Sequence, residues 1–197
     1  MDRRNALKGL GLSLGYVVAT PTLISMLQSC KTEVDVWTPV FFTVDEGIII
    51  KNLVDLILPK TESAPGALDV NIPEFLDVYI LEVYKDSDQK EFKAGINGIM
   101  KVLNASNKNV SRIKKEAYDS LLANYLRASK TKLEGFKENE DDTLVLNTLS
   151  KLRATSIWAY KTSEKIGEEV LVYLPVPGKF EGCISLEEST EGKAWSL

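Results

Sequence analysis

The stretch "TVDEGIIIKNLVDLILP", residues 43–59, decides the fold. Its first four residues form a capping box: the Thr43 hydroxyl can accept from the amide three residues on, and Glu46 can reach back to the amide of the cap. Ile49, Leu53, Leu56 and Ile57 then fall on one face at helical spacing. Leu58-Pro59 closes the helix, because proline disfavours helical angles in the residue before it. An amphipathic helix with a core-facing stripe is the expectation.

The same grammar recurs downstream. Pro73 sits where its missing N–H costs nothing, in the first turn of a helix reading "EFLDVYILEVY", with Phe75, Leu76, Tyr79, Ile80 and Val83 on a broad apolar face. A third helix after Asp86-Ser87 carries Phe92, Ile96, Ile99, Met100 and Leu103 in register, and Gly95 and Gly98 within it predict close packing against a neighbour. A fourth spans about 111–127, on Ile113, Ala117, Leu121 and Tyr125. A fifth follows the acids of "ENEDD", which suit the positive end of a helix, and carries Leu144, Leu146, Leu149, Leu152, Ile157 and Trp158 to about residue 163. The fold class is therefore all-α: a bundle-like domain of about five main helices, over residues 43–197, ending in an extended Pro/Gly-rich segment. Between the first two helices, "PKTESAPGALDVNIP" (59–73) is a long connection, of the kind that is often functional.

Composition excludes several function classes. The chain has 197 residues, a formal net charge of −4 and no histidine. The first thirty residues hold Arg3, Arg4 and Lys8 against Asp2, so the remainder is more acidic than the whole, which is wrong for a phosphate backbone and sets nucleic acid aside. Without histidine, the usual general base and commonest metal ligand are missing, along with the Ser-His-Asp and HExxH arrangements. The two cysteines, Cys30 and Cys183, are too few for a zinc or iron–sulfur centre within one chain. No phosphate-binding glycine motif occurs. Neither a catalytic site nor a cofactor or metal site is expected in this polypeptide.

Residues 1–30, "MDRRNALKGLGLSLGYVVATPTLISMLQSC", read as an address. Arg3, Arg4 and Lys8 precede an uncharged, mainly apolar run from Gly9 to Leu27, the plan of a secretory signal. "DRRNALK" looks like the twin-arginine export motif, which serves proteins that cross already folded; a general secretory signal that begins with two arginines is the alternative. "LQSC" resembles a lipobox, which would make Cys30 a lipid attachment site, and two acyl chains suffice for stable anchoring. An ordinary free or buried cysteine is the other reading. Residues 31–42 look like a short tether.

The segment "LVYLPVPGKFEGC", 171–183, cannot be regular helix or a central strand, given its prolines and glycines. Two roles stay open for it: a surface shaped for a partner, or a strap around this domain's own helices. Cys183 reads as buried or partner-facing.

Two stretches resemble the gluconate 2-dehydrogenase subunit 3 family. "FFTVDEGIIIKNLVDLILPKTESAPGALDVNIPEFLDVYI" (41–80) is similar to the opening of that family, and "IGEEVLVYLPVPGKFEGC" (166–183) to its ending. The resemblance implies a small, non-catalytic subunit that escorts and tethers an FAD-dependent dehydrogenase of the glucose-methanol-choline type, with a cytochrome or quinone-linked subunit as a further partner. FAD would sit in the large subunit, and the complex at the periplasmic cell envelope, moored by the lipid. Pro65, Gly66, Tyr173, Pro175, Pro177, Gly178, Phe180, Gly182 and Cys183 are the candidate partner interface, with Tyr173 and Phe180 as aromatic anchors. The competing function is a free-standing lipoprotein that binds a carbohydrate through the aromatic residues of the same two loops.

Overall fold

A computed structural model of the chain describes residues 37–105, 109–176, 178 and 182–196. Arg3, Arg4, Lys8, Cys30, Pro177 and Phe180 lie outside the described residues.

The described chain is helical, without strands, so the all-α expectation holds. Helix α1 (Val44–Ile57) begins at the capping box read from the sequence: Thr43 Oγ accepts from the Glu46 amide, and the Glu46 carboxylate accepts from the Thr43 amide at 2.8 Å. Its buried face is Glu46, Gly47, Ile49, Ile50, Leu53 and Val54; Leu56 and Ile57 are only half-buried. The long connection that follows has structure of its own. Thr61 and Ala64 close a turn, the Ala67 amide donates back to Leu58 O, and residues Ala67–Val70 form a 3₁₀ turn. Asn71 takes the left-handed conformation (φ 53°), which asparagine tolerates, and turns the chain into α2 (Ile72–Val83). Pro73 lies in its first turn, as expected.

Helix α3 (Asp86–Val102) and the long α6 (Glu140–Thr162) form the central crossing. Gly95 and Gly98 make it possible: a Cβ on Gly95 would lie 1.8 Å from Thr148 Oγ1, and one on Gly98 would lie 2.8 Å from Val145 Cγ2. Around this pair stand α1, α2 and α4 (Lys115–Leu126), all in contact with α6. The N-terminus of α6 is capped by Asn139, whose side chain accepts from the amides of Asp141 and Asp142, so three of the four acids of "ENEDD" lie inside the first turn rather than before it. The fourth helix, expected from about 111, starts only at Lys115, because residues Val110–Arg112 form a separate 3₁₀ turn and Ile113 is extended. Two further short helices are α5 (Lys130–Phe136), which starts at the Ser129 cap, and α7 (Leu186–Thr190). The buried core of the described residues includes Ile49, Leu53, Leu76, Ile80, Ile96, Ile99, Leu149 and Leu152.

The α2 face differs from the sequence expectation. Its buried residues are Ile72, Pro73, Leu76, Asp77 and Ile80, whereas Phe75 and Val83 are exposed. The helix is apolar nearly all round, so periodicity alone does not say which side meets the core. Asp77 decides it. Though only 1% exposed, its carboxylate accepts from the amides of Val40 (2.6 Å), Phe41 (2.9 Å) and Phe42 (2.9 Å). Residues 40–42, the end of the stretch read as a tether, are thus fastened to the body.

Candidate interaction surface

The C-terminal segment is positioned by three devices. Helix α6 stops at Ser163, whose hydroxyl donates to Tyr160 O, and a wide turn over Ile166–Val170 plants the buried Ile166 side chain in the body. Val172 then pairs with the stretch around Trp195: its amide donates to Ala194 O at 2.9 Å, and its carbonyl accepts from the Ser196 amide at 3.0 Å. Finally, α7 is fixed at its start by a Ser185–Glu188 capping box and ends with Glu191 and Gly192, both left-handed (φ 53° and 76°). The Glu188 carboxyl is held below its ordinary range by the Ser185 hydrogen bonds.

Between these fixed points the described part of the loop is turned outward. Tyr173, Leu174, Pro175 and Ile184 are exposed, Val176 is 77% exposed, and Leu186 and Trp195 at its base are exposed too. A Cβ on Gly178 would meet nothing within 4 Å. Of the two roles left open by the sequence, wrapping this domain's own helices does not describe these residues. Gly182 and Cys183 are exposed and the thiol is unpaired, so the buried alternative for Cys183 is corrected.

The other half of the candidate interface lies differently. Gly66 is buried, its amide donates to Asp69 Oδ2 at 2.8 Å, and a Cβ there would come within 2.6 Å of the Lys60 amide nitrogen. Pro65 is half-buried, and its carbonyl accepts from the Tyr160 hydroxyl at 2.6 Å. These two residues shape the 59–73 loop from within. Their backbone groups are used within the domain, by Asp69 and Tyr160. The Gly66 amide, and after it Lys60 at 3.2 Å, hold the Asp69 carboxyl below its ordinary value, while burial pushes the Tyr160 phenol up.

A second exposed apolar area went unread in the sequence. Phe75 (41% exposed), Tyr79 and Trp158 (44% exposed) form one aromatic cluster with ring centroids 5.4–6.0 Å apart, and Tyr84 meets Tyr79 edge-on at 5.9 Å. Val78, Leu81 and Ile157 are exposed on the same two helices. The sequence pattern puts Phe75 and Tyr79 on a broad apolar face and Trp158 in the apolar series of the fifth expected helix, without marking them as exposed. The available signal was that α2 carries apolar residues on more faces than one core contact can cover.

Chemically, both areas are suited to binding by burial. Aromatic side chains bring large contact area at low entropic cost and dominate interface energies. The perturbed tyrosines in the body are structural: Tyr118 is buried with no partner for its hydroxyl, and Tyr125 donates to Asp142 at 2.6 Å, its phenol pushed up by burial and then by that bond. Among the described residues no group of three or more His, Cys, Asp or Glu is placed to hold a metal, and no helix is long and apolar enough to cross a membrane.

A family model described as gluconate 2-dehydrogenase subunit 3 matches residues 45–178, well over half of the chain. It covers α1 to α6 and reaches into the outward-facing loop. No curated protein and no solved structure matches.

Proposed function

This chain belongs to the gluconate 2-dehydrogenase subunit 3 family, and we propose that it acts as the non-catalytic accessory subunit of such a dehydrogenase. On this reading it binds an FAD-containing large subunit of the glucose-methanol-choline type, escorts it through the twin-arginine route on the strength of Arg3, Arg4 and Lys8, and moors it at the periplasmic cell envelope through a lipid on Cys30. A cytochrome or quinone-linked subunit would take the electrons. The redox chemistry belongs to the partner.

The observation that carries the reading is the loop whose described residues, 173–176, 178 and 182–185, are exposed. It is pinned at its base by the Val172–Trp195 pairing, yet presents Tyr173, Leu174, Val176 and Ile184 to solvent. A segment held at both ends loses less entropy than a free one when a partner covers it. The Phe75–Tyr79–Trp158 cluster supports a large contact in the same way.

The test is purification of the tagged full chain from membranes of its own cells. A yellow, flavin-bearing dehydrogenase should accompany it, and combining Tyr173→Ser with Val176→Asp should cut the retained flavin by about tenfold or more. A colourless chain with no oxidoreductase attached would overturn the reading.

A further inference from the structure

Four consecutive backbone amides ahead of α1 are held by side chains rather than by regular structure. Val40, Phe41 and Phe42 donate to the Asp77 carboxylate of α2, and Thr43 donates to the Glu46 carboxylate of α1. Pro39, which has no amide proton, sets where the series begins. Lys93 of α3 completes the hold. Its ammonium donates to Phe41 O at 2.8 Å, pairs with Glu46, and lies 4.5 Å from the centroid of the Phe41 ring and 5.6 Å from that of Phe42. Phe42 is 4% exposed and packs near Phe92, with ring centroids 6.3 Å apart. Each hydrogen bond to a charged partner is stronger than a neutral one, and Asp77 and Glu46 are both nearly closed to water.

We propose that residues 40–43 form a fold-dependent latch. The groups that close it come from three separate helices, with Asp77 and Lys93 lying 35 to 52 positions further along the chain than the residues they hold. Thr43 is held locally by α1, whereas residues 40–42 are fastened only once α2 and α3 are in place beside it. For a chain exported folded, the latch is what distinguishes an assembled body from an unassembled one at its N-terminal end. That consequence rests on the proposed function; the latch itself does not.

Hydrogen exchange on the full chain, read by mass spectrometry, tests it. In the unsubstituted protein the amides of residues 40–43 should exchange at least about a hundredfold more slowly than unstructured peptide, although they lie outside any helix. Asp77→Asn should speed exchange at residues 40–42 by about a hundredfold, since three buried donors lose their charged acceptor, while α6 keeps its protection. Lys93→Met should loosen the same residues by a smaller factor. Free exchange at 40–43 in the unsubstituted chain would overturn the latch, as would undiminished protection in both variants. So would loss of protection throughout the bundle in Asp77→Asn, because Asp77 would then be holding the helices together and not a separable strap. None of these readouts depends on a partner, so a failed latch and a failed subunit assignment remain distinguishable.

Discussion

Residues 40–43 and the described residues 173–176 and 182–185 are both irregular and both rich in apolar side chains; yet the first stretch is closed down and the second left open. At the first, each backbone amide finds a carboxylate and Phe42 is swallowed by the core. At the second, hydrogen bonds fix the ends, at Val172 and at the Ser185 cap, while Tyr173, Leu174 and Val176 face water. Composition does not separate the two. What separates them is whether charged groups elsewhere in the fold are placed to take the backbone, since an irregular segment is buried only when its polar groups are satisfied.

The largest expected effect lies on the closed side. Phe42→Ala should cost roughly 3–5 kcal/mol of stability, as for other buried aromatic truncations, and chemical denaturation would show it. A loss below about 1 kcal/mol would mean that the segment is not part of the core, and the contrast would fail. On the open side the outcome should be nearly the reverse. Tyr173→Ser with Val176→Asp should move the stability of the isolated chain by no more than about 0.5 kcal/mol, as is usual at exposed sites, even though the same pair is expected to release the flavoprotein. A substantial drop would show that the loop packs on its own body after all.

The smallest effect sharpens the comparison at a third irregular stretch, the 59–73 loop, which is closed like the first but at the surface. Asp69 holds it through the Gly66 amide and Lys60, which lower its pKa from 3.8. A lowered carboxyl pKa gives stability that is present above the unfolded value and is lost as pH falls through the folded one. The Gly66 amide resonance should accordingly titrate with a midpoint below 3.8, and a midpoint at or above it would detach Asp69 from the loop. The stability change itself should be slight, because solvent screens an exposed pair.

Much of the fold was legible in residues that act locally. The Thr43–Glu46 box, the stop at Leu58-Pro59, Pro73 in a first turn, and the paired glycines of α3 all lie where the pattern places them. Short-range rules failed where the decisive partner was distant. Nothing near Pro65 in sequence reveals that its carbonyl is taken by Tyr160, which lies 95 positions away. The helix from Lys130 to Phe136 carries little signal in the sequence, because only its Ser129 cap marks it and none of its residues is buried.

The sequence by itself determined that this is a helical chain and where most of its long helices begin and end, because caps, breakers and periodicity act within a turn or two of chain. Its two family-like stretches determined which subunits it resembles. Tertiary structure alone decided which face of α2 is core, which aromatic residues stay outside, and which of two similar irregular segments is buried. Those outcomes depend on a buried carboxylate meeting amides 35 to 37 residues away, and no local pattern encodes such a meeting.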